Sequence, residues 1–188
     1  MANPIEIRFV SRNPHKLEEA KTILGPLGVS VIADQFAIEE IQTDNTEKLV
    51  KDKALKAFER LGEPVFVEHT GLYLDELNGL PGGLTQVFWD KLLADRFAEL
   101  FGKDGHNVVT AKTVIAYVDG KRFNLFYGEV KGTIASPPRG SRDFQWDCLF
   151  VPDGHDKTFA EMGPLKNSIS MRKKALDHFA KHFVSLPK

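Results

Sequence analysis

The sequence predicts an α/β fold on an elongated, mixed β-sheet with flanking helices, and three observations carry that expectation. Short apolar runs with strand character alternate with helical stripes through the first half of the chain. In the second half, two long strand-like runs are joined by Asp119-Gly120, a dipeptide suited to a tight hairpin turn. No internal repeat, low-complexity tract or linker divides the 188 residues, which are read as one domain, 1–188.

Ile5 to Val10 reads as a strand with Ile5, Ile7 and Phe9 on one face. A short polar turn leads to a helix, with Asn13 as N-cap, Pro14 in the first helical position and Gly25-Pro26 as the stop. Val29 to Ala33 is a second strand, and Phe36 to Ile41 is extended or irregular. Asp44 with Glu47 three residues later has the form of a capping box. The helix that follows places Val50, Ala54, Ala57, Phe58 and Leu61 on one stripe and ends at Gly62. Pro64-Val-Phe-Val runs as a strand into Glu68-His69-Thr70-Gly71.

Gly79-Leu80-Pro81-Gly82-Gly83 is a loop opening a further helix with Leu84, Val87, Phe88, Leu92 and Phe101 as its apolar residues. Thr110 to Val118 and Arg122 to Val130 are the hairpin strands, and Leu149 to Val151 is a short strand. A last helix runs from about Ser168 to Phe183, with Leu176, Phe179 and Phe183 turned inward.

The 42% hydrophobic and 27% charged content is that of a globular domain, and 188 residues bury enough surface to fold without a staple. With 25 basic and 26 acidic residues, a broad nucleic-acid footprint is not expected. The lone Cys148 excludes an intrachain disulfide. Neither a secretory leader nor a membrane-length apolar run is read, so the expectation is a soluble cytoplasmic protein without membrane or nucleic-acid partners.

Four groups of residues carry candidate chemistry. The turn Ser11-Arg12-Asn13-Pro14-His15-Lys16 joins a strand to a helix N-terminus, where free N–H groups and the helix dipole suit phosphate. The alternative is a well-capped helix with solvated basic residues. Glu39, Glu40 and Glu68 are carboxylates on separate segments that could converge on Mg²⁺, a cation that takes oxygen ligands. Each is otherwise a surface charge. His69 suits proton transfer near neutral pH, or metal ligation, or a satisfied place in a turn. Phe144-Gln145-Trp146-Asp147 offers two aromatics to stack on a planar ring and a carboxylate to accept its N–H groups, or else a piece of core. Lys166-Asn167 precedes the last helix and Arg172 lies inside it.

Taken together these segments resemble the inosine triphosphate pyrophosphatase family, from Phe9 to about Leu176. The blocks are Ser11-x-Asn13-x-x-Lys16, Glu40-Ile41-Gln42, Glu68-His69-Thr70-Gly71-Leu72, Gly79-Leu80-Pro81-Gly82, Pro138-Arg139-Gly140, Phe144-x-Trp146-Asp147, Ala160-Glu161-Met162 and Lys166-Asn167-x-Ile169-Ser170-x-Arg172. The resemblance implies two lobes around a central nucleotide cleft, usually in a homodimer, and removal of deaminated purine nucleotides such as ITP, dITP and XTP. It implies attack by a metal-associated water between the α- and β-phosphates, with Mg²⁺, or Mn²⁺, as cofactor. By position, Ser11, Arg12, Asn13 and Lys16 hold the triphosphate, with Lys16 also in the catalytic group. Glu40, Glu68 and His69 form the metal site, Glu68 and His69 are catalytic, and Thr70 lies beside them. Phe144, Gln145, Trp146, Asp147, Lys166, Met171 and Arg172 complete the substrate site.

The chain departs from the family pattern inside that site. His69 stands where the family has a second acid, Gln86 where a basic residue is usual, and Gln145 and Cys148 where glycine and proline are usual. Met171 replaces a base-reading histidine and cannot donate a hydrogen bond to a purine 6-oxo group. Two alternatives to the family reaction stay open at this point: a hydrolase with a shifted nucleotide substrate, and a nucleotide-binding protein weakened by His69.

Overall fold

A computed structural model describes residues 5–103 and 105–184, with side chains through His182. Six strands form one sheet in the order β2-β1-β3-β4-β5-β6. They are β1 (Ile5–Val10), β2 (Val29–Asp34), β3 (Val65–Leu74), β4 (Val108–Val118), β5 (Phe123–Ile134) and β6 (Phe150–Pro152). β1 pairs in parallel with β2 and β3, whereas the remaining neighbours are antiparallel, so the sheet is mixed as expected. β4 and β5 pair along their full lengths, from Val108 opposite Thr133 to Val118 opposite Phe123. Asp119 caps that hairpin turn by accepting from the backbone N–H groups of Lys121 and Arg122.

Alternation along the strands sorts their side chains into two layers. Ile7, Phe9, Phe66, Ile115 and Tyr117 pack beneath α1 (Pro14–Leu24) and α6 (Met171–Val184). Val10, Val65, Val67, Val114 and Ala116 pack on the opposite side beneath α2 (Thr46–Leu61). A third apolar cluster lies toward the far end of the long strands, where Leu72, Leu74, Val109 and Ile134 meet α3 (Thr85–Phe101) and the segment around Trp146.

Several local expectations hold. Asn13 caps α1, its side chain accepting from His15 and Lys16 N–H. On α2, Val50, Ala54 and Ala57 are fully buried, with Phe58 and Leu61 packed at the edge of the same cluster. Other expectations are corrected. The N-cap of α2 is Asn45 rather than Asp44, and it accepts from Lys48 N–H. Ile5 is 43% exposed at the open start of its strand, and Val87 is 42% exposed on α3.

α3 itself is two helical pieces meeting at Leu93, whose φ of 56° departs from the helix. The last helix is also divided. A short turn α5 (Lys166–Ile169) follows α4 (Phe159–Met162), and Ser170 adopts extended backbone before α6 begins at Met171. The Phe183 side chain lies outside the described side chains.

β3 is longer than the apolar run suggests because Gly71 lets a second segment lie against it. A Cβ at position 71 would strike the Gly82 carbonyl oxygen, while Thr85 Oγ1 accepts from Leu72 N–H at 2.8 Å and donates to that same Gly82 carbonyl. The Gly79–Gly83 loop is thereby seated on the strand that carries Glu68 and His69. Gly71→Ala should force backbone apart at this seat and destabilise the fold by about 1–3 kcal/mol, the usual range for overpacking. Urea unfolding checks this, and an unchanged midpoint would contradict the account.

Candidate active site

Period-2 geometry separates the two central residues of β3. Glu68 lies opposite Ile115 and points with Phe66 toward α1 and α6, whereas His69 lies opposite Val114 and points with Val67 toward α2. Lys16 on α1 sits near both, so the two half-sites share one cation.

On the α1/α6 side, Glu68 is 3% exposed and both its oxygens are engaged. Oε1 meets Lys16 Nζ at 2.6 Å, and Oε2 accepts from Arg172 Nε at 2.8 Å. Arg172 also pairs with Glu19, and Glu19 Oε1 lies 3.2 Å from Lys166 Nζ. Lys166 in turn donates to Asp147 Oδ2 at 2.6 Å. The chain Lys16–Glu68–Arg172–Glu19–Lys166–Asp147 therefore ties α1, β3, α5, α6 and the Phe144–Asp147 segment together. Burial works to raise the Glu68 pKa, but Arg172 and then Lys16 outweigh it and hold the carboxyl far below its ordinary range. Burial pushes the Lys16 ammonium down and the Asp147 carboxyl up.

On the α2 side, Lys53 Nζ lies 2.5 Å from Glu40 Oε1, and His69 Nδ1 lies 3.8 Å from Glu40 Oε2. His69 is 7% exposed, and its Nε2 is buried with no hydrogen-bond partner among the described residues. Burial, reinforced by Lys16, pushes the imidazole down to about 4 against the opposing pull of Glu40.

These groups border a cleft of about 640 Å³ lined by Arg12, Asn13, Lys16, Glu40, Lys53, His69, Thr70, Gln86 and Gln145, among others. A second cavity of about 390 Å³ is lined by His15, Glu19, Phe144, Asp147, Phe159 and Lys166. Phe144 and Gln145 are consecutive, and each lines a different cavity, so this segment forms the ridge between them. The His15 ring meets Phe144 at 4.9 Å between centroids, and Lys166 Nζ lies 4.1 Å from the Phe144 ring centre. Gln145 holds a positive φ of 44° and donates to Gln86 at 2.5 Å, fastening the ridge to α3.

The structure thus brings together most of the expected residues, on two sides of one strand. Ser11 braces the turn before α1, accepting from Asn13 N–H, and Thr70 shares a 2.7 Å hydrogen bond with Thr113. Two expected substrate contacts are corrected. Trp146 is 3% exposed in the core against Phe150, and Met171 is 1% exposed in the same cluster, so neither side chain faces either cavity.

The three residues expected at the metal do not share one face of the sheet. Glu68 and His69 point to opposite faces of the sheet, Glu68 is held by two cations and Glu40 by one. Among the described residues no set of three His, Cys, Asp or Glu side chains is arranged to hold a metal ion. Glu40 and Glu39 line the cleft beside His69, and Mg²⁺, which takes one or two carboxylates together with waters and substrate phosphates, would be held there.

Glu19 and Lys53 carry the site yet were not singled out from the sequence. Lys53 lies three residues after Val50 and beside Ala54 on the buried stripe of α2, a position where a charge faces inward. Glu19 lies three residues after Lys16, on the same side of α1.

His69 gives this site a pH signature. Its folded pKa of about 4 lies below the ordinary 6.5, so the unfolded chain takes the proton more readily. The resulting stability is complete above the unfolded pKa and is lost as pH falls through the folded one. By about pH 5 the loss should be on the order of 2 kcal/mol, and His69→Gln should remove that slope. Urea unfolding of both proteins across this range checks it, and equal slopes would contradict it.

Comparison with known proteins agrees with this arrangement. The model of the Ham1 family matches residues 7–182. A dITP/XTP pyrophosphatase of Thermococcus kodakarensis is 37% identical over 177 residues, covering 94% of this chain and 96% of the relative. An inosine triphosphate pyrophosphatase of Yarrowia lipolytica is 37% identical over 176 residues, covering 92% and 93%. The structure of a HAM1 protein from Coxiella burnetii superposes with a TM-score of 0.82 at 26% identity, covering 97% of this chain and 100% of the other. A cleft at the N-terminus of α1, joined by one ridge to an aromatic and acidic cavity, is thus found in a chain that belongs to the Ham1 family.

Proposed function

We propose that this chain hydrolyses deaminated purine nucleoside triphosphates, of the kind ITP, dITP and XTP, to the monophosphate and pyrophosphate. The observation that carries the proposal is the pair of cavities meeting at the start of α1, one lined by cations and one by aromatic and hydrogen-bonding groups. The relatives named for dITP, XTP and inosine triphosphate support the same substrate class over a shifted nucleotide or a merely binding protein.

In this reading the triphosphate lies in the larger cleft against Arg12, Lys16, Lys53 and the first turn of α1, where N–H groups and the helix dipole favour anions. The base enters the smaller cavity against Phe144. With Met171 in the core, base reading falls to Lys166, whose ammonium has only donors and so suits a 6-oxo acceptor rather than a 6-amino donor. Water attacks the α-phosphorus, the bond from that phosphorus to the bridging oxygen breaks, and pyrophosphate leaves with its charge on Lys16 and Lys53. His69 takes the proton from the attacking water, since its imidazole is neutral and lines the cleft. Entry of the polyphosphate offsets the two lysines that depress this imidazole and makes it a better base.

A divalent ion, Mg²⁺ or alternatively Mn²⁺, enters on the phosphates as part of the substrate. The proposal extends to a homodimer in the cytoplasm, supported by the resemblance described above. No helix among the described residues is long and apolar enough to cross a membrane.

A hydrolysis panel across inosine, xanthosine, guanosine, adenosine and pyrimidine triphosphates, with Mg²⁺ and with Mn²⁺, tests the proposal. Preferential release of pyrophosphate from the inosine and xanthosine forms is expected, and release from none would overturn it. Lys53→Met removes one charged phosphate contact and should lower kcat/KM by about 10- to 100-fold, the equivalent of one charge-assisted hydrogen bond. Unchanged kcat/KM would place the phosphates elsewhere.

A further inference from the structure

The two cavities meet at Phe144 and Gln145, and this junction carries a polar side chain that the proposed reaction leaves unused. Phe144 lines the smaller cavity and Gln145 the larger one. With the base on one side and the triphosphate on the other, the sugar that joins them crosses this ridge. Gln145 is half-buried there at a φ of 44°, backbone that glycine adopts freely and other residues only at a cost. Gln145 and its partner Gln86 both stand where the family usually has other residues.

A relay from α3 fixes how the Gln145 amide is turned. The Asp90 carboxylate has only acceptor oxygens, and Oδ1 takes a hydrogen from Gln86 Nε2 at 2.6 Å. The carbonyl end of Gln86 therefore faces Gln145, and its Oε1 accepts from Gln145 Nε2 at 2.5 Å. Gln145 is left presenting its own Oε1, an acceptor with no hydrogen bond among the described residues. Phosphate oxygens and base carbonyls are acceptors too and gain nothing from it, whereas a hydroxyl can donate to it. We infer that Gln145 Oε1 accepts a hydrogen bond from a hydroxyl of the nucleotide's sugar, with Gln86 and Asp90 as positioning residues that hold its amide in the accepting orientation. The inference rests on the proposed placement of base and triphosphate in the two cavities.

Hydrolysis of inosine triphosphate and of its 2′-deoxy and 3′-deoxy analogues tests this on the whole protein. In the wild type, loss of the contacted hydroxyl should lower kcat/KM by about 3- to 10-fold, the size of one uncharged hydrogen bond. The two analogues distinguish which hydroxyl it is. Gln145→Gly suits the positive φ and removes the acceptor, so it should bring that ratio to about one. Gln86→Met frees the Gln145 amide to rotate and should also reduce the ratio. Gln86→Glu still accepts from Gln145 Nε2 and should keep it. Each ratio is taken within one protein, so a general loss of activity does not move it. Arg142 and Asp95, paired at 2.7 and 2.8 Å, give the segment a second tie to α3 in every variant.

A wild type indifferent to both hydroxyls, or a ratio that Gln145→Gly preserves, would overturn the sugar contact while leaving the proposed function standing. A ratio that Gln86→Met leaves unmoved, or that Gln86→Glu abolishes, would overturn the positioning role. Hydrolysis of none of the three nucleotides would overturn the inference and the proposed function together.

Discussion

The buried pair between Glu68 and Arg172 is the constraint on which the rest of the site depends. Each side chain is 3% exposed, so neither charge is solvated by water, and among the described residues each is balanced by the other and by Lys16 and Glu19. Removing one partner from such a pair typically costs about 3–5 kcal/mol, because the remaining charge is stranded. The pair also sets geometry. Arg172 lies in the first turn of α6, Glu68 on the central strand and Lys16 in the first turn of α1, so satisfying these charges fixes two helix starts against the sheet. Continuation through Glu19 and Lys166 carries the same constraint to Asp147 and the ridge between the two cavities.

The opposite face of β3 is organised by a weaker and more exposed set. His69, Glu40 and Lys53 lie beside the open cleft, and the His69–Glu40 separation of 3.8 Å leaves room for rearrangement. One strand thus presents a locked structural charge on one side and an adaptable reactive group on the other. Lys16, paired with Glu68 and lowering the His69 imidazole, links the two. The family's fold accommodates a histidine at position 69 because the locked half of the site does not depend on it.

Much of this was legible in the sequence, and the reasons are physical. The turn from strand to helix at Ser11–Lys16 was readable because Asn13-Pro14 is a strong helix start placed directly after an apolar strand. The hairpin followed from Asp119-Gly120, and the stripe of α2 from its spacing. Trp146 and Met171 were misplaced because position within a motif does not report burial. An aromatic at an alternating position is equally suited to core, and the segment after Phe144 turns Trp146 inward. That Glu68 and His69 face opposite ways was contained in the sequence, since adjacent residues on a strand diverge. Glu19 and the Lys53–Glu40 pair needed the structure, since salt bridges across separate elements leave no local pattern.

The central claim is that the Glu68–Arg172 interaction, rather than either residue alone, holds the site together. A double-mutant cycle with Glu68→Gln, Arg172→Met and both together, read by urea unfolding at neutral pH, tests this most directly. A coupling energy of about 2–3 kcal/mol is expected, near the upper end for contacting residues, with the double variant less damaged than the sum of the two single ones. Additive losses would contradict the account.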